Sequence, residues 1–290
     1  MKLVIPGKTF LVGEYAVLVG GNALGLATEP YFEFDFSQPA DINVHEKSAA
    51  GLFLRFSDQA ELKINSVINL NPSGGFGQST AEFIACWVKH QVDRETPFSI
   101  RLEEMFNQYR DLYNLNHDLI KIKPSGADLV IQILGGVVYF DPVVKLSKSF
   151  NWPFNDLDFD IIATGLNVPT HDHLRTLDLK KLEPLCLIAE TTIKTFQSHD
   201  QTGFLESMKE WTQKLQHLKL QHNHSLKLKK ILENCPEVIL AKPNGALGAE
   251  TMTIFYKQEN KTLVRDYFKK RNVRHVTGLD RLAQGAHYVD

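Results

Sequence analysis

The sequence predicts a two-domain α+β protein, and three observations carry that prediction. Its 290 residues exceed the usual size of one compact domain, so two units of about 150 residues each are expected. Strand-like alternation dominates the opening, whereas strands and helices interleave through the rest, an order that suits mixed layers better than a doubly wound parallel sheet. Near mid-chain, Lys145 to Asp158 is polar and turn-rich, with Ser147, Ser149, Asn151, Pro153 and Asn155, and marks a boundary between residues 1–150 and 151–290.

Each element follows from local pattern. From Tyr31 to Phe36, apolar Phe32, Phe34 and Phe36 alternate with Glu33 and Asp35, the period of a half-buried strand. Leu52–Phe56 and Glu61–Leu70 read as strands too. After Ser73-Gly74-Gly75-Phe76-Gly77 the period changes, and Phe83, Ile84, Trp87, Val88 and Val92 line one helical face. Leu102, Met105, Phe106, Tyr109, Leu112 and Tyr113 mark a second helix, a third begins near Gly126, and Val137–Phe140 returns to strand. Beyond the boundary a strand at Asp160–Thr164 precedes helices near Leu182–Phe196, Phe204–Leu215 and Ser225–Asn234. The remainder reads as strand Val238–Ala241, a glycine loop, strand Thr251–Tyr256, helix Leu263–Phe268 and strand Val273–Val276.

Composition narrows the function classes. With 43% hydrophobic and 23% charged residues the chain has the makings of a packed core and no room for a long disordered region. A net charge of −2 supplies no general field toward nucleic acid or an anionic membrane, so any anion site must be local. Cys86, Cys186 and Cys235 are dispersed and odd in number, which excludes a disulfide framework or a CxxC site and points to a reducing cytoplasm. Lys8 and Glu14 interrupt the apolar start and Gly20-Gly21-Asn22 reads as a turn, so the start reads as folded chain and not as a signal peptide. The apolar run Leu129–Phe140 is too short to span a bilayer.

The most chemically suggestive segment is Asn71-Pro72-Ser73-Gly74-Gly75-Phe76-Gly77-Gln78-Ser79-Thr80-Ala81. Glycines let backbone approach phosphates, and the helix that follows offers unpaired N–H groups and a positive dipole end. The spacing is neither Walker A nor the GxGxxG dinucleotide pattern, and read alone it also suits a plain connection.

Three further segments change the weight of that loop. Pro6-Gly7-Lys8 with Gly13-Glu14-Tyr15-Ala16-Val17-Leu18, the glycine loop itself, Pro124-Ser125-Gly126-Ala127-Asp128, and Lys242-Pro243-Asn244-Gly245-Ala246-Leu247-Gly248-Ala249-Glu250 occur in order over nearly the whole chain. Together they resemble the motifs of the galactokinase, homoserine kinase, mevalonate kinase and phosphomevalonate kinase (GHMP) family, with the mevalonate and phosphomevalonate kinases most similar. The resemblance implies an N-terminal domain like domain 2 of ribosomal protein S5, a ferredoxin-like C-terminal domain, and ATP with Mg²⁺ in the cleft between them. It implies a small-molecule acid or alcohol as substrate, no nucleic-acid or membrane partner, and a monomer or homodimer.

Carried over by position, Lys8 and Asp128 are the expected catalytic pair, Asp128 as base and Lys8 as the cation beside the reacting hydroxyl. Ser73, Gly74, Gly75, Phe76, Gly77, Gln78, Ser79 and Thr80 are the expected ATP-binding residues; Glu14, Tyr15, Ser125, Gly126, Gly245 and Ala246 the expected acceptor-binding residues. Ser79 is the expected serine ligand of Mg²⁺. The usual glutamate ligand falls on His117, and the adjacent Asp118 is the substitute. Without the resemblance, Asp128 and Ser79 read as helix-capping residues and Lys8 as a solvated lysine.

Departures from the family pattern are part of the reading. Gln78 stands where the first serine is usual, and Leu247, Ala249 and Glu250 thicken the third loop where small residues are usual; a carboxylate near phosphates repels them unless it points away or binds a cation. A non-catalytic ligand-binding relative is therefore the rival from another class. Asn167-Val168-Pro169-Thr170-His171-Asp172-His173-Leu174 resembles a mevalonate kinase stretch and favours mevalonate-type acceptors over sugars, with a sugar or homoserine kinase the third choice; Pro124-Ser125-Gly126-Ala127-Asp128 and Val168-Pro169 look more like mevalonate kinases, Gly13-Glu14-Tyr15-Ala16-Val17-Leu18 more like phosphomevalonate kinases. Lys121, Lys123 and Arg175 are the residues that would read a second phosphate. The His171/His173 and His222/His224 pairs fall short of the three or four ligands that zinc takes.

Overall fold

The computed structural model describes residues 2–37, 44–56, 65–67, 74–90, 101–114, 123–166 and 177–289. Two antiparallel sheets organise the chain. Strands β1 (Lys2–Val12), β2 (Ala23–Asp35), β3 (Asn65–Val67), β4 (Val137–Asp141) and β5 (Leu146–Phe150), joined by β10 (His287–Val289), form the first, in the order β10-β1-β2-β4-β5 with β3 also on β2. Strands β6 (Leu157–Ala163), β7 (Val238–Asn244), β8 (Thr251–Lys257) and β9 (Arg274–Gly278) form the second, ordered β7-β8-β6-β9. Helices α1 (Ala49–Phe56), α2 (Gln78–His90), α3 (Leu102–Asn114) and α4 (Ala127–Leu134) belong to the first half, α2 and α4 against β1 and β2 and α1 and α3 packed on those helices; α5 (Glu183–Gln197), α6 (Gln201–His217), α7 (Asn223–Glu233) and α8 (Lys261–Lys270) follow in the second half. Among the described residues no helix is long and apolar enough to cross a membrane.

The period-two reading of β2 holds from Phe32 to Phe34, which are wholly buried while Glu33 faces outward opposite Val4, but not beyond: Asp35 is buried and the half-buried Phe36 lies past the strand end. The helices predicted in the second half all form within a few residues of their expected limits. Two expectations are corrected. Leu52–Phe56 is not a strand but the end of α1, because Ala49, Ala50, Leu52 and Phe53 are buried together at helical spacing while Phe56 is 43% exposed. The polar stretch after Lys145 is not all connection either. It contains β5, which reads as polar because it is an edge strand paired only with β4 and largely open to solvent. Glu61–Leu70 lies outside the described residues except for β3, which bears out a strand there.

A single apolar cluster runs through both halves. Phe32, Phe83 and Trp87 belong to it, as do Phe159, Phe196, Phe204 and Phe255. Strand alternation divides β6: Leu157, Phe159 and Ile161 face that cluster, while Ile162 joins a smaller one with Met252, Ile254, Val264 and Phe268 under α8. The second sheet is thereby covered on both faces.

Candidate active site

A cavity of about 340 Å³ lies where β1, the turn after it, the starts of α2 and α4 and the β7–β8 loop converge. Each wall has a local reason. At the Pro6/Gly7 step the β1–β2 register shifts, and just beyond it the Lys8 N–H donates to Phe76 O at 2.9 Å, docking the glycine loop on the strand. Gly74, Gly75 and Gly77 have φ of 108°, 86° and 82°, conformations that side chains oppose, and Gly77 leads directly into the N-terminus of α2. The loop's Phe76 points inward and is 2% exposed, while Gln78, Ser79 and Thr80 line the cavity.

On the opposite wall Gly126, with φ 83°, precedes α4; a Cβ there would stand 2.3 Å from Phe106 Cε2, so only glycine fits. Ser125 Oγ accepts the Ala127 N–H at 3.2 Å and Asp128 falls in the first helical turn, facing the cavity. Lys8 Nζ stands 3.1 Å from Asp128 Oδ2 and 4.9 Å from the centroid of Phe10. Gln132 holds the arrangement from behind: its Nε2 donates to Pro6 O at 2.9 Å and to Gly77 O at 3.3 Å.

A second ion pair closes the floor. Lys242, on β7 and wholly buried, donates to Glu14 Oε1 at 2.8 Å, to Asn244 Oδ1 at 3.0 Å and to Phe10 O at 3.2 Å. Burial pulls the Lys242 pKa down and the adjacent Glu14 carboxylate opposes that shift. Tyr15 OH accepts the Leu247 N–H at 3.0 Å, and burial pushes this phenol far up. Tyr109 is also buried against the cavity and hydrogen-bonded to Thr80 and Tyr113.

The structure thus gathers Lys8, Asp128, Gly74, Gly75, Gly77, Gln78, Ser79, Thr80, Glu14, Tyr15, Ser125, Gly126 and Gly245 around one space; Ala246 begins the next turn. Gln78 donates to Glu82 Oε1 at 2.8 Å. Ser73, Asp118, His117, Lys121, Arg175 and the 167–174 stretch lie outside the described residues. His222 caps α7 and His224 Nε2 lies 2.9 Å from Thr164 O. Sequence reasoning missed Lys242, Tyr109 and Gln132. Gln132 had a signal, as a polar residue inside the apolar run after Asp128; Lys242 had none, because its partner lies 228 residues away.

No protein-family model and no curated protein matches the sequence. Solved structures do match it. The mevalonate kinase of Methanococcus jannaschii superposes with a TM-score of 0.69 at 14% identity, over 98% of this chain and 98% of that one. The galactokinase of Lactococcus lactis complexed with galactose gives 0.70 at 12%, over 99% and 95%. The chain has the GHMP kinase fold. A third match, Streptococcus pneumoniae phosphomevalonate kinase in complex with phosphomevalonate and AMPPNP, gives 0.68 at 14%, over 96% and 99%. Since kinases of different acceptors superpose equally well, the GHMP fold here leaves the substrate open.

Proposed function

We propose that this chain is an ATP-dependent kinase that transfers the γ-phosphoryl group to the hydroxyl of a small acid, with mevalonate the preferred acceptor and phosphomevalonate the alternative. The observation that carries the reading is the Lys8–Asp128 pair, 3.1 Å apart, in the same cavity as the glycine turn and the start of α2. An acceptor hydroxyl within reach of Asp128 gives its proton to that carboxylate as its oxygen bonds to the γ-phosphorus. The bond from that phosphorus to the bridging oxygen breaks, and ADP leaves. Lys8 offsets charge on the phosphoryl oxygens, and the N–H groups at the start of α2 receive the phosphates.

The donor set fits magnesium bound through the nucleotide. Ser79 offers an exposed hydroxyl at the cavity, the kind of oxygen that joins phosphates and water around such an ion. The ion would neutralise phosphate charge during transfer. Asp118 is the proposed carboxylate partner. The reading keeps residues 1–150 and 151–290 as two lobes, and places the enzyme in the cytoplasm as a monomer or homodimer.

The test is ADP release with mevalonate, phosphomevalonate, homoserine, galactose and no acceptor. Acceptor-dependent release with the highest kcat/KM for mevalonate is the expected result. Preference for phosphomevalonate, selectively weakened by Lys123→Ala or Lys121→Ala, would replace the first choice with the second. Tight ligand binding with no turnover on any acceptor would make the chain a binding protein.

A further inference from the structure

Glu250 is a carboxylate for which the kinase reading provides no task. It stands immediately before β8, at the end of the third glycine-bearing loop, where the family resemblance leads one to expect a small residue. A Cβ placed on Gly245 would come 3.0 Å from Glu250 Oε2; one placed on Gly75 would come 3.1 Å from Glu250 Cβ and 3.5 Å from Oε2. Gly75 and Gly245 both have positive φ, 86° and 81°. The carboxylate therefore lies beside both glycine turns, at the edge of the cavity that a phosphate approaching either backbone would enter.

The surrounding charges leave it unbalanced. Lys8 from β1 is engaged by Asp128 from α4, and Lys242 from β7 is engaged by Glu14. Among the described residues no hydrogen bond or ion pair reaches the Glu250 carboxylate; Lys8 attracts it and Asp128 repels it. Burial, the larger effect, raises its pKa. A polyphosphate entering the cavity meets a carboxylate that no ion pair offsets among the described residues, where the backbone invites an anion.

Resting on the proposed nucleotide site, we infer that Glu250 is a specificity-determining residue: its charge, set beside both glycine turns, admits nucleotide whose own charge is offset by a divalent cation, while disfavouring metal-free nucleotide and free polyphosphate. A neutral amide of the same shape removes that selection and preserves the packing between the turns. A carboxylate that served as a cation ligand would behave oppositely, since its loss would weaken the metal-bound complex.

Calorimetric binding to the full chain decides between these. The probes are AMPPNP with magnesium, AMPPNP with a chelator, and sodium tripolyphosphate with a chelator, on wild type, Glu250→Gln and Glu250→Ala. The expected result is that both substitutions tighten the two metal-free probes about tenfold and change magnesium-AMPPNP by less than about threefold. Unchanged or weaker metal-free binding by a Glu250→Gln protein with a wild-type melting curve overturns the inference, and so does a loss confined to magnesium-AMPPNP. If AMPPNP binds to no protein in either form, the nucleotide reading falls and takes this inference with it. If it binds and only the effect of the substitutions is missing, the nucleotide reading stands and this inference alone fails.

Discussion

At Lys8 the ammonium lies between a carboxylate and an aromatic face, 3.1 Å from Asp128 Oδ2 and 4.9 Å from the Phe10 centroid, so its position depends on both neighbours. Under the proposed reaction Asp128→Asn keeps the shape and loses the proton acceptor. Turnover is expected to fall about a hundredfold or more while AMPPNP affinity stays within a few-fold; near-normal turnover would remove Asp128 as the base. Lys242 makes a different prediction, about stability. Its ammonium is wholly buried and Glu14 is its charged partner at 2.8 Å. Glu14→Ala leaves that cation unpaired in the interior, and urea unfolding should show a loss of about 3 kcal/mol or more. A loss below about 1 kcal/mol would mean that Lys242 folds uncharged at little cost.

The elements that build the site are set by a few backbone positions. Gly77 joins the glycine loop to α2 with φ 82°, and a Cβ there would come 2.9 Å from Lys8 Cγ and 3.2 Å from Gln132 Nε2. Gly77→Ala therefore combines left-handed strain with displacement of Lys8. The expected outcome is a fall in kcat beyond what the lower melting temperature explains, measured well below the melting point; unchanged kcat would show that Lys8 tolerates the shift. In the second sheet, Asp160 on β6 is wholly buried beneath α8 and β9. Burial alone would raise its pKa, but hydrogen bonds from His275 at 2.9 Å and Arg265 at 2.7 and 3.0 Å outweigh burial and hold it at about 2, below the ordinary 3.8. Because the folded value is the lower one, the stabilisation is complete above the unfolded pKa and is lost as pH falls through about 2. It amounts to about 2 kcal/mol. The gap in urea midpoint between wild type and Asp160→Asn should shrink from pH 4 to 2; a gap that ignores pH over that range would assign the loss to packing.

Across the whole molecule, the continuous core makes independent unfolding of the two sheets unfavourable. Trp152 stacks edge-on with Phe154, Phe159 and Phe196, and these residues share one cluster with Trp87 of α2. The last strand, β10, returns to pair with β1 at Lys2, Leu3 and Val4, tying the end of the described chain to its start. Urea unfolding followed by far-UV circular dichroism and by tryptophan fluorescence should give coincident single transitions. Two separated transitions would show that each sheet stands on its own core.

Local order is what the sequence by itself determined. The helices of the second half, the Phe32–Phe34 alternation and the glycine turns were legible because period and φ preference depend on neighbours a few residues apart, and the four motif segments carried a family resemblance through their residues and their order. Where side-chain pattern was ambiguous locally, tertiary context decided: α1 became a helix because Ala49 and Ala50 pack with Leu52 and Phe53, and β5 could be polar because it is an edge. The meeting of Lys8 with Asp128, of Glu14 with Lys242 and of Glu250 with Gly75 was decided only in three dimensions. Each joins residues more than a hundred positions apart, and their distances depend on strand register, on the bulge at Pro6/Gly7 and on how the β7–β8 loop seats against α2, none of which leaves a trace in local spacing.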